Sequence, residues 1–261
     1  MESLDGMQII RKSSGAVYRQ IKKILTPQLR HSQFAYRDKL EAVLSSDSYW
    51  LDAGCGHGLF PEWMDRGAIL TQRCAVVVGI DCDCPSLWEN RIVHHRVVGD
   101  LSALPFRSGS FDLISANQVV EHITDPDLLG RGLNRILKPG GLFIFHTPNY
   151  RHYQTLLVSW LPQGLKNWLA KHFEAREDKD VFPTCYRMNT ADAIHRMADR
   201  TGFEVQEIEL VNSVPETFAL GPLAVLVEML IIWVLEFRLF SRWRSNLVVV
   251  LKKTEPALAP R

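Results

Sequence analysis

The strongest constraint on this chain is the recurrence of short β-branched runs with helical stretches between them. Runs at 49–53, 74–80, 96–98, 111–116 and 142–146 are separated by connections long enough for crossover helices. Such alternation builds an α/β domain around a mostly parallel sheet. One crossover helix is expected over 128–137, closed by Lys138-Pro139-Gly140-Gly141, where proline and paired glycines end the helix and turn the chain into the next strand. Another is expected over 191–200, with Asn189 or Thr190 as N-cap and Gly202 as its stop. It lies before the strand runs 203–211 and 246–252, and no internal repeat is visible.

Three segments break the alternation. Residues 1–45 form a basic extension with helical patterning, and 150–188 and 212–245 are inserts in a core domain of 46–253, followed by a tail of 254–261. The first insert carries Trp160, Trp168 and Phe173, then the charge run 174–180. The 261 residues are 46% hydrophobic and net +1, which excludes a domain whose business is wrapping nucleic acid. The neutrality is uneven. Residues 1–30 hold six Lys/Arg against two acids, as do 236–261, so each end carries +4 and the middle −7. Basic ends are either solvated flanks or contacts for an anionic surface. Five cysteines lack framework spacing and read as free thiols. No secretory signal is visible near the N-terminus, and a cytoplasmic location is expected.

A glycine loop follows the first strand: Leu51-Asp52-Ala53-Gly54-Cys55-Gly56-His57-Gly58. Glycines here permit positive φ and close approach of a ligand to the backbone. Leu59 stands where a dinucleotide fingerprint needs its third glycine, and Asp52 would repel a pyrophosphate. A carboxylate before the loop suits an ammonium-bearing nucleoside instead. Asp81 ends the second run, where it is placed to accept ribose hydroxyls, and Asp100 ends the third, within reach of an adenine amine.

Asp52–Gly58, Asp81, Asp100-Leu101, Phe111–Ile114 and Leu137–Gly141 stand in the order found in class I S-adenosylmethionine-dependent methyltransferases, which this chain resembles over about residues 34–150. The closer likeness is to methyltransferase type 11 and ubiquinone-pathway enzymes. The resemblance implies a Rossmann-like, doubly wound, seven-stranded sheet, mostly parallel with an antiparallel last strand. It implies S-adenosylmethionine as cofactor and S-adenosylhomocysteine as product. Asp52, Ala53, Gly54, Cys55 and Gly56 would line the methionine moiety, Asp81 the ribose, and Asp100, Leu101 and Cys82 the adenine. Asn117 would lie near the sulfonium.

Methyl transfer to a hydroxyl needs alignment of the acceptor and removal of its proton. Asn117-Gln118-Val119-Val120-Glu121-His122 follows the fourth run and resembles the Glu-x-x-Glu-His cluster that ubiquinone-pathway O-methyltransferases associate with a divalent metal. Gln118 replaces the first carboxylate, so no metal is assigned. His122, with Glu121, is the candidate catalytic pair, since histidine titrates near neutrality; orienting the loop is the alternative role. His146, Tyr150 and His152 are secondary candidates, and Arg135 reads as a structural ion-pair partner.

The stretch 218–235 holds 18 residues with one charge, Glu228. It is not expected to span a membrane, because the runs on either side of it belong to one sheet and a midpoint acid is costly in a bilayer. A buried lid and an interfacial helix remain, the latter favoured by Arg238, Arg242 and Arg244 interleaved with Phe240 and Trp243. Peripheral contact with the inner face of a membrane through 218–244 is one expectation. The combined reading is an enzyme that O-methylates a small hydrophobic or lipid-like acceptor, with no nucleic-acid partner. C- or N-methylation on the same fold, or a non-catalytic S-adenosylmethionine-binding regulator, are the alternatives.

Overall fold

The computed structural model describes residues 2–64, 67–160 and 183–254. The expectations for Trp168, Phe173 and the charge run 174–180 lie outside the described residues. The helices are α1 (Glu2–Leu25), α2 (Ser32–Val43), α3 (Gly67–Thr71), α4 (Cys84–Glu89), α5 (Pro126–Ile136), α6 (Tyr153–Trp160), α7 (Ala191–Thr201) and α8 (Pro222–Glu236). The strands are β1 (Tyr49–Ala53), β2 (Val76–Asp81), β3 (His95–Val98), β4 (Phe111–Asn117), β5 (Leu137–Pro148), β6 (Phe203–Val211) and β7 (Asn246–Lys253). They form one seven-stranded sheet in the order β3-β2-β1-β4-β5-β7-β6. The first five strands are parallel, and β5-β7-β6 is antiparallel, as expected.

The chain divides into two compact units. One joins Met1–Phe34, Asn149–Phe182 and Leu210–Asn246; the other comprises Ala35–Pro148, Pro183–Glu209 and Leu247–Arg261. In the second unit the central strands are apolar on both faces, as a sheet covered by helices requires. Trp50, Leu51, Ile80, Ile114, Phe143, Phe145 and Leu251 are almost wholly buried.

The helix boundaries follow local chemistry. Asp125 caps α5 by accepting from the Leu128 amide at 2.9 Å, with Pro126 opening the helix. Thr190 caps α7 through the Ala193 amide, and Gly202 ends it in the left-handed region at φ +77°.

The Lys-Pro-Gly-Gly segment departs from expectation. Helix α5 already ends at Ile136, and β5 begins at Leu137, so the segment lies inside the strand rather than forming the turn before it. Leu137 pairs with Phe111 and Leu142 with Leu113, so five steps of β5 face two of β4. Pro139 has no amide hydrogen for a ladder, and a bulge is where a strand tolerates it. The buried Leu137 side chain holds the near end of the bulge.

In the first unit α1 packs against α8, with Val17, Tyr18, Ile21 and Phe218 around Leu29, Val225, Met229 and Ile232. Glu228, the one acid of α8's apolar stretch, is 5% exposed. It accepts from Gln154 Nε2 at 2.9 Å, from the Glu216 and Thr217 amides and from the Thr217 hydroxyl. A buried carboxylate is tolerable when so many donors reach it. No described helix is long and apolar enough to cross a membrane.

Replacing Gly202 by alanine should destabilise the protein by about 1–2 kcal/mol, because a side chain makes the left-handed conformation costly. Urea denaturation of the two proteins measures it.

Candidate functional site

The carboxyl ends of β1, β2 and β4 are adjacent, because β1 pairs with β2 on one side and β4 on the other. After β1 the chain hooks toward β2: the Gly54 and Cys55 amides donate to the Ile80 carbonyl at 2.8 and 3.2 Å. Gly54 has φ +70°, and a Cβ there would stand 2.5 Å from a Val119 methyl. The loop after β4 therefore rests directly on the glycine loop. Gly56 has φ +41° and nothing within 4 Å of a Cβ position, leaving open space beside the backbone. A ligand can approach the main chain there as no side chain would permit.

Asp81 ends β2 and grips the loop. Its Oδ2 accepts from the Gly56 amide and its Oδ1 from the Asp83 amide, both at 2.8 Å. A carboxylate offers about four acceptor positions, so hydroxyl groups of a ligand can still be bound. The neighbouring Cys82 is exposed, and partial desolvation and Asp81 push its thiol up, with weaker pushes from Asp100 and Asp83. Cys82, Asp81 and Asp100 thus share one electrostatic neighbourhood at the β2 and β3 ends. Asp100 is exposed, and the Ser102 amide, donating at 2.8 Å, holds its pKa below the usual carboxylate value. Leu101, next to it, is half-buried. On the other side of the loop, buried Asn90 donates to the Cys55 and Gly56 carbonyls at 3.2 Å each.

Asp52 is different. It is 3% exposed, and its Oδ1 accepts from the Ser115 hydroxyl at 2.5 Å, while Ser115 accepts from Trp50 Nε1 at 2.8 Å. Burial raises its pKa to about 7, Ser115 opposes the rise, and Asp81 adds to it. The fully buried Tyr36 hydroxyl is likewise pushed up by burial and by Asp52. A cation beside Asp52 would draw its proton off and gain an opposite charge in a low-dielectric setting. Ala53 and Cys55, flanking Gly54, are buried in the floor of the same loop.

Asn117, the last residue of β4, donates to the Leu59 carbonyl at 3.1 Å, which fixes its Oδ1 toward His146 Nδ1 at 2.9 Å. His146 is buried and its ring lies 5.9 Å from that of Tyr36. Gln118 is left-handed at φ +59°, held by the hydrogen bond its backbone amide donates to the His146 carbonyl at 2.8 Å. A residue with a side chain in that region costs about 1 kcal/mol or more, and such outliers concentrate at functional sites.

Glu121 and His122 occupy the helical turn Val120–His122 with different surroundings. The Glu121 carboxylate is buried and accepts from Thr147 Oγ1 at 2.8 Å; Thr147 accepts from Asn189 at 2.7 Å. The Glu121 carbonyl accepts from the Cys185 and Tyr186 amides. His122 is half-buried, with Nδ1 3.0 Å from the Pro183 carbonyl. A carbonyl only accepts, so in the neutral ring the proton sits on Nδ1.

The secondary candidates separate. Arg135 donates to the Phe106 and Leu104 carbonyls at 2.6 and 2.8 Å rather than to a carboxylate, which corrects its ion-pair reading. His152 and Tyr150 belong to the first unit, where His152 Nδ1 donates to the Trp243 carbonyl at 2.9 Å. Ser115, Tyr36, Asn90, Thr147 and Asn189 carry no motif. Only burial and hydrogen bonding identify them. Among the described residues no group of three or more His, Cys, Asp or Glu side chains gathers to hold a metal.

The profile of a family described as "Methyltransferase domain" matches residues 27–208. A malonyl-[acyl-carrier protein] O-methyltransferase of Erwinia billingiae is 33% identical over 119 residues, 44% of this chain and 45% of that protein. A ubiquinone biosynthesis O-methyltransferase of Idiomarina loihiensis is 28% identical over 130 residues, 44% of this chain and 51% of that protein. The chain thus matches about half the length of these curated relatives. Among solved structures, an S-adenosylmethionine-dependent methyltransferase of Mesorhizobium loti aligns with a TM-score of 0.51 at 19% identity, covering 83% of this chain and 96% of the other. A geranyl diphosphate C-methyltransferase of Streptomyces coelicolor, solved with S-adenosylhomocysteine, aligns with 0.53 at 15%, covering 85% and 81%. These structures share the fold.

An acid whose folded pKa lies above its unfolded one subtracts stability as pH rises between the two values. For Asp52 the window runs from about 4 to about 7. Replacing Asp52 by asparagine should therefore flatten the fall in melting temperature across that window, with the variant gaining most on the wild type near pH 7. Thermal denaturation at a series of pH values reads this directly.

Proposed function

From the premise that this chain belongs to the methyltransferase-domain family, we propose that it O-methylates a small, apolar acceptor at the carboxyl edge of its sheet. The observation that carries the reading is the open, positive-φ backbone at Gly56, gripped by Asp81, with Asp52 behind it and Asp100 beyond. S-adenosylmethionine, when bound, supplies a methyl group on a sulfonium. Its ammonium, ribose and amine are donors that match a row of carboxylates.

Each residue then has a role in the proposal. Asp81 accepts the ribose hydroxyls while holding the loop that Gly54 and Gly56 shape. Asp100, Leu101 and Cys82 border the adenine, and Asn117 borders the sulfonium. Asp52, with Ala53 and Cys55, closes the methionine end and supplies negative charge as its proton leaves. His122 takes the acceptor's hydroxyl proton on Nε2, with Nδ1 held by Pro183. Glu121 is a positioning residue: buried against Thr147, it holds the turn that carries His122. O-methylation is supported by the names of the partial relatives, which include two kinds of O-methyltransferase. An apolar acceptor follows the expectation drawn from the apolar run 218–235 in the sequence.

Calorimetry should show S-adenosylmethionine and S-adenosylhomocysteine binding and NAD failing to bind. Asp81→Ala should weaken the first two at least tenfold, and unchanged affinity would overturn the ribose assignment. Incubating the protein with methyl-labelled cofactor and a lipid and small-molecule extract, followed by mass spectrometry, should reveal a methyl ether or ester. With a hydroxyl acceptor, His122→Ala should lower kcat by about 10²–10⁴ while leaving cofactor affinity intact. An N- or C-methylated product would replace the O-methyl reading.

A further inference from the structure

We infer that the outer face of α8, with the arginines that follow it, docks onto an anionic lipid surface. The inner face of α8 is accounted for: Val225, Met229 and Ile232 pack with Leu29 of the same unit. The outer face is not. Leu223, Val227, Leu230, Val234 and Phe237 follow at alternating spacings of four and three residues, and all are exposed, Leu223 by 73%. Leu239 extends the stripe and is 78% exposed. That spacing lays Leu223, Val227, Leu230 and Val234 along one side of the helix, and Phe237 and Leu239 follow beyond its end. A stripe of this kind on a water-facing helix marks an interaction surface.

The charges around it decide what covers it. Arg238 and Arg242 are exposed just beyond the helix, and the Arg242 guanidinium lies 4.0 Å over the Trp243 ring. Arg244 is turned inward, donating to the Leu210, Leu235 and Glu236 carbonyls. Among the described residues, the acids offer Arg238 and Arg242 no partner on this face. Glu228 is buried in its cage of donors, Glu236 lies 3.7 Å from Arg244 and accepts from Asn212, and Glu216 sits near Tyr153 before the other end of the helix. Helix α1, packed on the inner side of α8, adds exposed Arg11, Lys12, Arg19 and Lys23 to the same unit.

A second copy docking by this same face would match the apolar stripe but would bring its own Arg238 and Arg242 to the arginines, not acids, because Glu228 is buried and Glu236 is engaged by Asn212 and Arg244. A lipid headgroup layer supplies phosphate for Arg238 and Arg242 and hydrocarbon for the leucines in one place. With 15 residues, α8 lies along that layer and does not cross it.

The test is flotation of the full chain with vesicles of phosphatidylglycerol and phosphatidylcholine, and with phosphatidylcholine alone, at low and high salt. The protein should float with the mixed vesicles, less so with the neutral ones, and lose binding as salt rises. Arg238→Gln with Arg242→Gln should weaken partitioning about thirtyfold. Leu230→Glu should weaken it at least tenfold. Circular dichroism and S-adenosylhomocysteine binding report whether each variant is folded. Absence of wild-type binding, or equal binding by the folded variants, overturns the inference. So does a dimer in analytical ultracentrifugation that Leu230→Glu dissociates, since a second copy then covers the face. Cofactor binding is measured separately, so failure of the lipid reading leaves the methyltransferase reading standing.

Discussion

A hydroxyl at the centre of the sheet organises the candidate site. Ser115 of β4 joins the Trp50 indole and the Asp52 carboxyl of β1, so the two middle strands share a polar link inside an apolar core. Without that donor Asp52 would be a buried acid with a desolvated charge and little to offset it. With it, the acid sits at the base of the glycine loop, titrating near neutrality. The neighbouring strand ends then line up by pairing alone: β2 delivers Asp81, and β4 delivers Asn117 and the turn holding His122.

Backbone conformation completes the edge. Gly54 yields to Val119, Gly56 leaves open space, and Gln118 accepts an unfavourable φ to aim the segment after β4. Strain at that one residue is held by a hydrogen bond to β5 and is not spread through the sheet. Glu121 and Thr147 then tie the turn to β5, so the edge is made of parts that hold one another in place.

The helical unit solves a different problem. A helix as apolar as α8 needs partners on every side, and α1 covers only one. Glu228, the acid inside its apolar run, is hydrogen-bonded within the unit by amide and hydroxyl donors, so the charge that breaks that run in sequence is absent from the surface. Part of the basic character at the two ends also takes on a place: α1 and Arg238, Arg242 and Arg244 belong to the same unit, while Lys252 and Lys253 belong to the unit of the sheet.

Much of this was legible beforehand, because strands, helix caps and the glycine loop are local features. The strand runs, the Thr190 and Gly202 caps and the acids at 52, 81 and 100 are all set by neighbours in sequence. Lys138–Gly141 was misread as a turn because proline and glycine punctuate a bulge as readily as a turn; the pairing of Leu137 with Phe111 decided between them. Ser115, Asn90 and Tyr36 had no signal, since a serine or asparagine acquires a role only when distant strands bring it a partner.

By itself, then, the sequence determined the fold class and the row of carboxylates, because periodicity and residue type act over a few positions. The tertiary structure decided which carboxylates are buried. It made Glu121 a tether to Thr147, set His122 Nδ1 against the Pro183 carbonyl, and turned Glu228 inward. Those outcomes depend on desolvation and hydrogen-bond partners supplied from far along the chain, and no local pattern encodes them.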